Sequence, residues 1–269
     1  IVEDFEGQKI DDIKKHAIDL FVIGDDWLGR FDYLKEFCGV IYLSRTKNIS
    51  SSEIRSSKNK ILNIGISGTG RIANRFVPES KFVSGVNINM VYSHQLQRAE
   101  TFASAHELEN FTDNFNGFLN KVDAVYIASV HEQHYPQAKA AIHAGKHVLI
   151  EKPASLTSEQ FDELRTQSRK NEVLFIEAIK TAYAPAFIKL IEVARSGMIG
   201  KICDITACFT KLTADGSREL MQLNNGGSFN ELASYTLLPI IKLLGVPNSV
   251  LFQQIDHDGV DIFSKAIFD

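Results

Sequence analysis

The stretch Ile61-Leu62-Asn63-Ile64-Gly65-Ile66-Ser67-Gly68-Thr69-Gly70-Arg71-Ile72-Ala73 decides how the chain folds. It opens with the apolar run ILNIGI, a strand signal, and glycines follow at once. Gly68, Gly70 and Ala73 fit the spacing G-x-G-x-x-A. The first glycine allows a tight turn, and the second lets a pyrophosphate approach the backbone. The small third residue lets the following helix pack close to the strand. The helix start then offers unpaired N–H groups and a positive dipole end to phosphate. A glycine turn alone is a weak sign. Between a strand and a helix, at the head of a β-α series, it has the context that dinucleotide binding requires.

Working outward, Val86–Tyr92, Ala124–Ala128, His147–Ile150 and Val173–Ile176 read as strands. Ile72–Phe76, Leu96–His106, Tyr135–Ala144 and Ser158–Lys170 read as helices between them. This alternation predicts a doubly wound parallel α/β sheet of the Rossmann type over residues 58–180. Beyond Pro185 the pattern changes. Phe187–Arg195 and Phe229–Leu244 read as helices, and Lys201–Lys211 alternates as a half-exposed strand should. Ser249–Gln254 and the terminal SKAIF are strand-like. An incomplete α+β substrate domain is expected over 181–269. Upstream, Asp19–Gly24, Phe31–Phe37 and Val40–Leu43 predict strand, helix and strand, a small α/β remnant within residues 1–57. The Ser-rich, basic stretch Ser50–Lys60 reads as a helix start and a linker.

Composition narrows the partners. The formal charge of −4 argues against a nucleic-acid partner, which needs clustered positive charge. No apolar stretch is long enough to span a bilayer. Cys38, Cys203 and Cys208 include no C-x-x-C pair, so they read as reduced thiols of a cytoplasmic protein. No His, Cys, Asp and Glu grouping has metal-ligand spacing, so no metal is expected. The first residues are acidic where a secretory leader would be basic, and the chain begins at Ile1. A fragment of a longer protein is expected.

The second strand ends at Tyr92-Ser93-His94, with Arg98 a helical turn on. An NAD-selective site often places a carboxylate here for the ribose 2′-hydroxyl. A neutral hydroxyl beside His94 and Arg98 tolerates a 2′-phosphate, which favours NADP over NAD. Arg98 as a plain solvated helix charge is the alternative.

Further along stand Asp123-Ala124-Val125-Tyr126-Ile127-Ala128-Ser129, His131, His134 and Ala144-Gly145-Lys146-His147-Val148-Leu149-Ile150-Glu151-Lys152-Pro153. AGKHVLIEKP strongly resembles the Gfo/Idh/MocA family of sugar and polyol oxidoreductases. The resemblance runs from about Leu62 to the chain end, through Phe175-Ile176-Glu177-Ala178, Gly197–Gly200 and Gly226–Tyr235. VHEQH and EAIKTAYAPA are similar to its dihydrodiol-dehydrogenase-like subgroup.

The resemblance implies a homo-oligomer that takes a sugar or polyol and NADP or NAD. Gly68, Thr69, Gly70, Arg71 and Ile72 would meet the pyrophosphate, and Ser93, His94 and Arg98 the adenosine ribose. Ser129, His131, His134 and Glu151 would line the cofactor, with His134 orienting its loop. Lys152 would sit where nicotinamide and substrate meet. Hydride delivery to a carbonyl builds negative charge on oxygen, which a lysine ammonium stabilises and protonates. Glu231 and Tyr235 share a helix face by their i, i+4 spacing, and the resemblance implies Tyr235 as a second proton donor. Tyr235 as a helix-core aromatic is the other reading. Three positions depart from the family pattern: Val130 and His131 replace Pro-Asn, and Glu231 replaces a shorter Asp.

Val22-Ile23-Gly24-Asp25-Asp26-Trp27, Phe31–Lys35 and Arg45–Ile54 resemble the C-terminal part of glycerol-3-phosphate cytidylyltransferases. That resemblance implies a CTP triphosphate contact at Arg45, Thr46, Ser50 and Ser51. Ser50 and Glu53 also have the spacing of a simple capping box. The family's His-x-Gly-His motif is absent, and Lys47-Asn48 stand in place of Glu-Gly. Together the two resemblances lead to the expectation of a fusion. Its other half would make a CDP-alditol for a cell-surface polymer. A non-catalytic NAD(P)-binding module, or a cytidylyltransferase as the only active part, are the rival readings.

Overall fold

A computed structural model describes residues 7–44, 61–214, 216–217 and 226–269. The chain divides into two compact units, residues 1–60 and 61–269.

In the first unit, helix α1 (Gln8–Lys15) precedes strands β1 (Leu20–Gly24) and β2 (Gly39–Leu43). The strands pair in parallel from Leu20 opposite Gly39 to Gly24 opposite Leu43. Between them the expected helix is two 3₁₀ segments, Asp25–Trp27 and Asp32–Glu36. Ile13 and Leu34 are buried there. The segment Ser50–Lys60, with Arg45, Thr46, Ser50 and Ser51, lies outside the described residues.

The second unit is built on one parallel sheet. Its strands are β3 (Leu62–Ser67), β4 (Val86–Tyr92), β5 (Asn110–Thr112), β6 (Ala124–Ile127), β7 (His147–Ile150) and β8 (Phe175–Glu177). Their order is β5-β4-β3-β6-β7-β8. The chain starts in the middle, winds one way through β4 and β5, then returns past β3 to β6, β7 and β8. This is the doubly wound Rossmann order, whose ligand crevice opens where the direction reverses, between β3 and β6 at their carboxyl ends.

The helices are α2 (Arg71–Ser80), α3 (Leu96–His106), α4 (Phe115–Leu119), α5 (His131–His143) and α6 (Ser158–Lys170). They cover both faces. One core joins Phe118, Val125, Ile127, Ile142, Ile150 and Leu164; the other joins Ile66, Val77, Val91, Phe102 and Tyr126. Strand β6 is buried at every position, as a strand covered on both faces should be.

Gly65 shows how tight the first core is. A Cβ there would lie 2.4 Å from the Phe118 ring and 2.8 Å from Val122. Gly65→Ala is therefore expected to cost about 1–3 kcal/mol by overpacking. Denaturant unfolding measures it, and an unchanged midpoint would show that Phe118 yields freely.

Strand β5 and helix α4 were not evident in the sequence, because they are only 3 and 5 residues long. The strand exists by pairing on Met90–Tyr92. The helix is capped by Asn114, whose side chain accepts from the Gly117 N–H at 2.9 Å.

After β8 the chain passes a 3₁₀ turn (Lys180–Tyr183) into helices α7 (Pro185–Arg195) and α8 (Ser228–Leu244). Strands β9 (Val250–His257) and β10 (Val260–Phe268) form an antiparallel hairpin. Asp258 and Gly259 turn it with φ of 51° and 80°. Two positive φ values make a turn that matches the natural strand twist. The expected strand Lys201–Lys211 does not form: the segment carries no regular structure. Alternation makes a strand only where a ladder partner exists, and among the described residues β9 and β10 pair with each other.

Candidate functional site

The carboxyl ends of β3, β6 and β7 open into a cleft of about 1780 Å³. Its walls come from the strand-end loops, from α8 and from β10. The volume exceeds the roughly 300–1,000 Å³ of a small-ligand pocket and suits a dinucleotide with a substrate beside it.

The glycine turn forms one end. Gly68 has φ of 105° and donates its N–H to the Tyr92 carbonyl at 2.9 Å. A Cβ on Gly68 would lie 2.6 Å from the Ala128 carbonyl oxygen, so the turn closes against the β6 loop. Gly70 caps α2 in extended conformation with no side chain on the helix end. The first-turn N–H groups thus remain available to an anion. Asn74 stiffens the turn by donating to the Thr69 and Gly70 carbonyls at 3.3 and 3.0 Å. Thr69, Arg71 and Ile72 border the cleft.

Across the switch point, Ser67 and Ser129 both donate to the Gln137 side-chain oxygen, at 2.8 and 2.9 Å. Gln137 thereby ties the end of β3 to the loop after β6. It was missed in the sequence, where a helical glutamine carries no mark of a tertiary partner.

Ser93 is buried, and its N–H donates to the Thr112 carbonyl at 3.1 Å. Its hydroxyl accepts from the Gln95 N–H at 3.4 Å. His94 and Arg98 line the cleft beside it. No carboxylate stands at this strand end.

At the end of β7, Glu151 accepts from the Tyr126 hydroxyl at 2.6 Å. Burial and the Glu151 charge push the Tyr126 phenol well above its ordinary range. Lys152 precedes a cis peptide bond to Pro153. Its ammonium donates to the Glu231 carbonyl at 2.7 Å and to the Glu231 carboxylate at 3.3 Å. It also lies 5.7 Å from the centre of the Tyr235 ring. Lys152 is 11% and Glu231 16% exposed at the side chain, so the pair is largely desolvated. His131 stands on the other side of Glu231, with Nε2 3.8 Å from its second carboxylate oxygen.

Burial, then the charges of Glu151 and Glu231, raise the Tyr235 phenol, with Arg71 opposing. Tyr235 therefore holds its proton at neutral pH. Burial also raises Glu177, which accepts the Ala154 N–H at 2.8 Å behind the lysine loop. His134 is buried with Nδ1 2.7 Å from the Pro153 carbonyl and Nε2 3.1 Å from the Ser129 carbonyl. Carbonyls only accept, so one ring nitrogen donates if the imidazole is neutral and both if it is charged. Either way His134 joins the β6 and β7 loops.

The structure thus brings together the glycine turn, Ser93, His94, Arg98, Ser129, His131, His134, Glu151, Lys152, Glu231 and Tyr235 around one cleft. A turn closed by a φ-positive glycine, an uncapped helix end and a carboxylate-free end of β4 fit an NAD(P) dinucleotide. Among the described residues no group of His, Cys, Asp and Glu could hold a metal ion. No helix among them is long and apolar enough to cross a membrane.

Residues 62–178 match the GFO_IDH_MocA model, described as an oxidoreductase family with an NAD-binding Rossmann fold. The chain is 29% identical over 225 residues to a scyllo-inositol 2-dehydrogenase (NADP(+)) of Bacillus subtilis, covering 78% of this chain and 68% of that protein. It is 26% identical to a trans-1,2-dihydrobenzene-1,2-diol dehydrogenase of Xenopus laevis, covering 73% of this chain and 62% of that one. A stretch of 48 residues is 67% identical to a glycerol-3-phosphate cytidylyltransferase of Bacillus spizizenii, covering 18% of this chain and 37% of that enzyme. Among solved structures, GenD2 from gentamicin A biosynthesis in complex with NAD superposes with TM-score 0.65 at 18% identity, covering 76% of this chain and 60% of that one. A 3-ketoreductase from Actinomadura kijaniata with NADP and TDP-benzene does so with TM-score 0.64 at 24% identity, covering 71% and 59%. The chain therefore spans only about three fifths of these solved structures and about a third of the cytidylyltransferase.

Proposed function

We propose that the protein transfers hydride between NADP and a hydroxyl-bearing carbon of a sugar or cyclic polyol, because residues 62–178 match the Gfo/Idh/MocA family model. The observation that carries this reading is Lys152. Its desolvated ammonium stands at the carboxyl end of β7, in the cleft that the glycine turn also lines, and over Tyr235. When bound, nicotinamide supplies the hydride acceptor or donor. The chain supplies the rest. The Gly68–Ile72 turn holds the pyrophosphate, Lys152 stabilises the substrate oxygen as charge develops, and Lys152 or Tyr235 exchanges its proton. The low exposure of the Lys152 and Glu231 side chains strengthens these contacts.

The test is nicotinamide absorbance with scyllo-inositol, myo-inositol and a panel of aldoses, using NADP and NAD in parallel. Binding of neither cofactor would refute the reading. The choice of NADP rests on Ser93, His94 and Arg98. Ser93→Asp with Arg98→Ala is expected to reverse the preference by at least about tenfold in kcat/KM, since it exchanges a cationic 2′-phosphate site for a carboxylate that binds the 2′-hydroxyl. An unchanged NADP to NAD ratio would assign the preference elsewhere.

The 67% identity over 48 residues supports a second activity, cytidylyl transfer to an alditol phosphate in the full-length protein. Release of pyrophosphate from CTP with glycerol phosphate tests it. The substrate domain over 181–269, homo-oligomer formation and action in the cytoplasm complete the proposal.

A further inference from the structure

Strand pairing stops where the lysine turn begins. The β7–β8 ladder ends with Ile150 opposite Glu177, and the Ala178 N–H donates to the Ile150 carbonyl at 2.7 Å. Lys152, Pro153 and Ala154 lie beyond it, and Pro153 has no N–H to give. Two side chains hold this turn, and both hold the same peptide group. His134 Nδ1 stands 2.7 Å from the Pro153 carbonyl oxygen. The Ala154 N–H donates to Glu177 Oε1 at 2.8 Å. We propose that His134 and Glu177 clamp the Pro153–Ala154 peptide from both ends, and that Glu177 is thereby a positioning residue for Lys152.

The two contacts meet opposite ends of one planar unit, so together they fix its orientation as neither does alone. The Pro153 ring already fixes φ at that residue, and the clamp fixes ψ. Lys152 is thus set on a backbone with little rotation left. The clamp is also shielded, since His134 and Ala154 are each 1% exposed. Its two bonds reinforce one another. His134 has the shorter of its two carbonyl contacts at Nδ1, 2.7 against 3.1 Å, which assigns a proton to that nitrogen. A donor at the carbonyl polarises the peptide and strengthens its N–H toward the carboxylate.

Burial raises Glu177 above the ordinary carboxylate value; the Ala154 N–H and the Lys152 charge oppose this, and Glu151 adds to it. The other titratable groups on neighbouring elements are His134 across the peptide, His147 on β7, Lys180 in the turn after β8, and Glu231 and Tyr235 on α8 around the lysine. Helix α6 meets β8 through the apolar pair Phe161 and Phe175.

Glu177→Gln keeps an oxygen for the Ala154 N–H and removes the charge, whereas Glu177→Ala removes both. In the whole chain, the Ala154 amide proton is followed by NMR against pH. It is expected to move upfield as pH falls through the Glu177 titration, because a bond to a neutral carboxyl is weaker than one to a carboxylate. In Glu177→Gln that step should be gone. An amide proton that does not move, or moves equally in Glu177→Gln, overturns the clamp whether or not the chain turns anything over. For rates, scyllo-inositol oxidation with NADP is followed. Glu177→Ala is expected to reduce kcat about 10- to 100-fold, the cost of a catalytic group misplaced by roughly 1 Å. The KM for NADP should stay within a few fold, and Glu177→Gln should recover most of the rate. Unchanged kcat in Glu177→Ala, or no recovery in Glu177→Gln, overturns the positioning role. That role rests on the proposed oxidoreductase reading. Absence of turnover with every polyol and either cofactor, in the unmodified chain, refutes that reading instead, and the amide titration still decides the clamp.

Discussion

Lys152→Ala is expected to lower kcat by about 100- to 10,000-fold, the usual contribution of a positioned proton donor. NADPH affinity should stay within a few fold, because the turn at Gly68 and Gly70 and the Arg98 region are untouched. The substitution removes an ammonium in contact with both Glu231 and the Tyr235 ring. It leaves the Glu231 carboxylate without that counter-charge in a desolvated cleft, so substrate oxygen would meet net repulsion. Lys152→Arg tests whether charge alone suffices. Arginine keeps the charge but does not give up its proton, so it should recover binding and little of the rate. Turnover unchanged in Lys152→Ala would assign the chemistry to Tyr235 alone.

The second large effect is at Gly68. Its φ of 105° is outside the range that side chains tolerate, and an added Cβ would press within 2.6 Å of the Ala128 carbonyl oxygen. Gly68→Ala is expected to cost about 2–4 kcal/mol, combining left-handed strain with overpacking. The turn can relieve the clash by moving away from the β6 loop, which also displaces the helix-end N–H groups proposed to hold the pyrophosphate. Loss of NADPH binding should therefore accompany the lower unfolding midpoint. Gly70→Ala is the useful contrast, because a Cβ there would stand 4.0 Å from the same oxygen. It should perturb binding more than stability. A Gly68→Ala chain with normal stability and normal NADPH titration would disprove this account of the turn.

The glycine spacing, the EKP motif and the β-α alternation were legible because each depends on neighbours in the chain. That Ser93 and Arg98 border one cleft follows from their places near the end of one strand and the start of one helix. Gln137 was not legible, because its two partners are Ser67 and Ser129, which reach it only when β3 and β6 lie side by side. Lys201–Lys211 was misread for the complementary reason. Its alternation is local, but a strand is a pairing, and pairing is not written in one segment.

The sequence by itself determined a strand, a φ-permissive turn and a helix at 62–80, and hence a phosphate-binding Rossmann domain. Local sterics, periodicity and helix-end hydrogen bonding suffice for that. Only the tertiary structure decided that Lys152 and His131 both stand within 4 Å of Glu231. They come from a β7 loop and two helices far apart in sequence. Their coupling depends on the low-dielectric space that those elements enclose together.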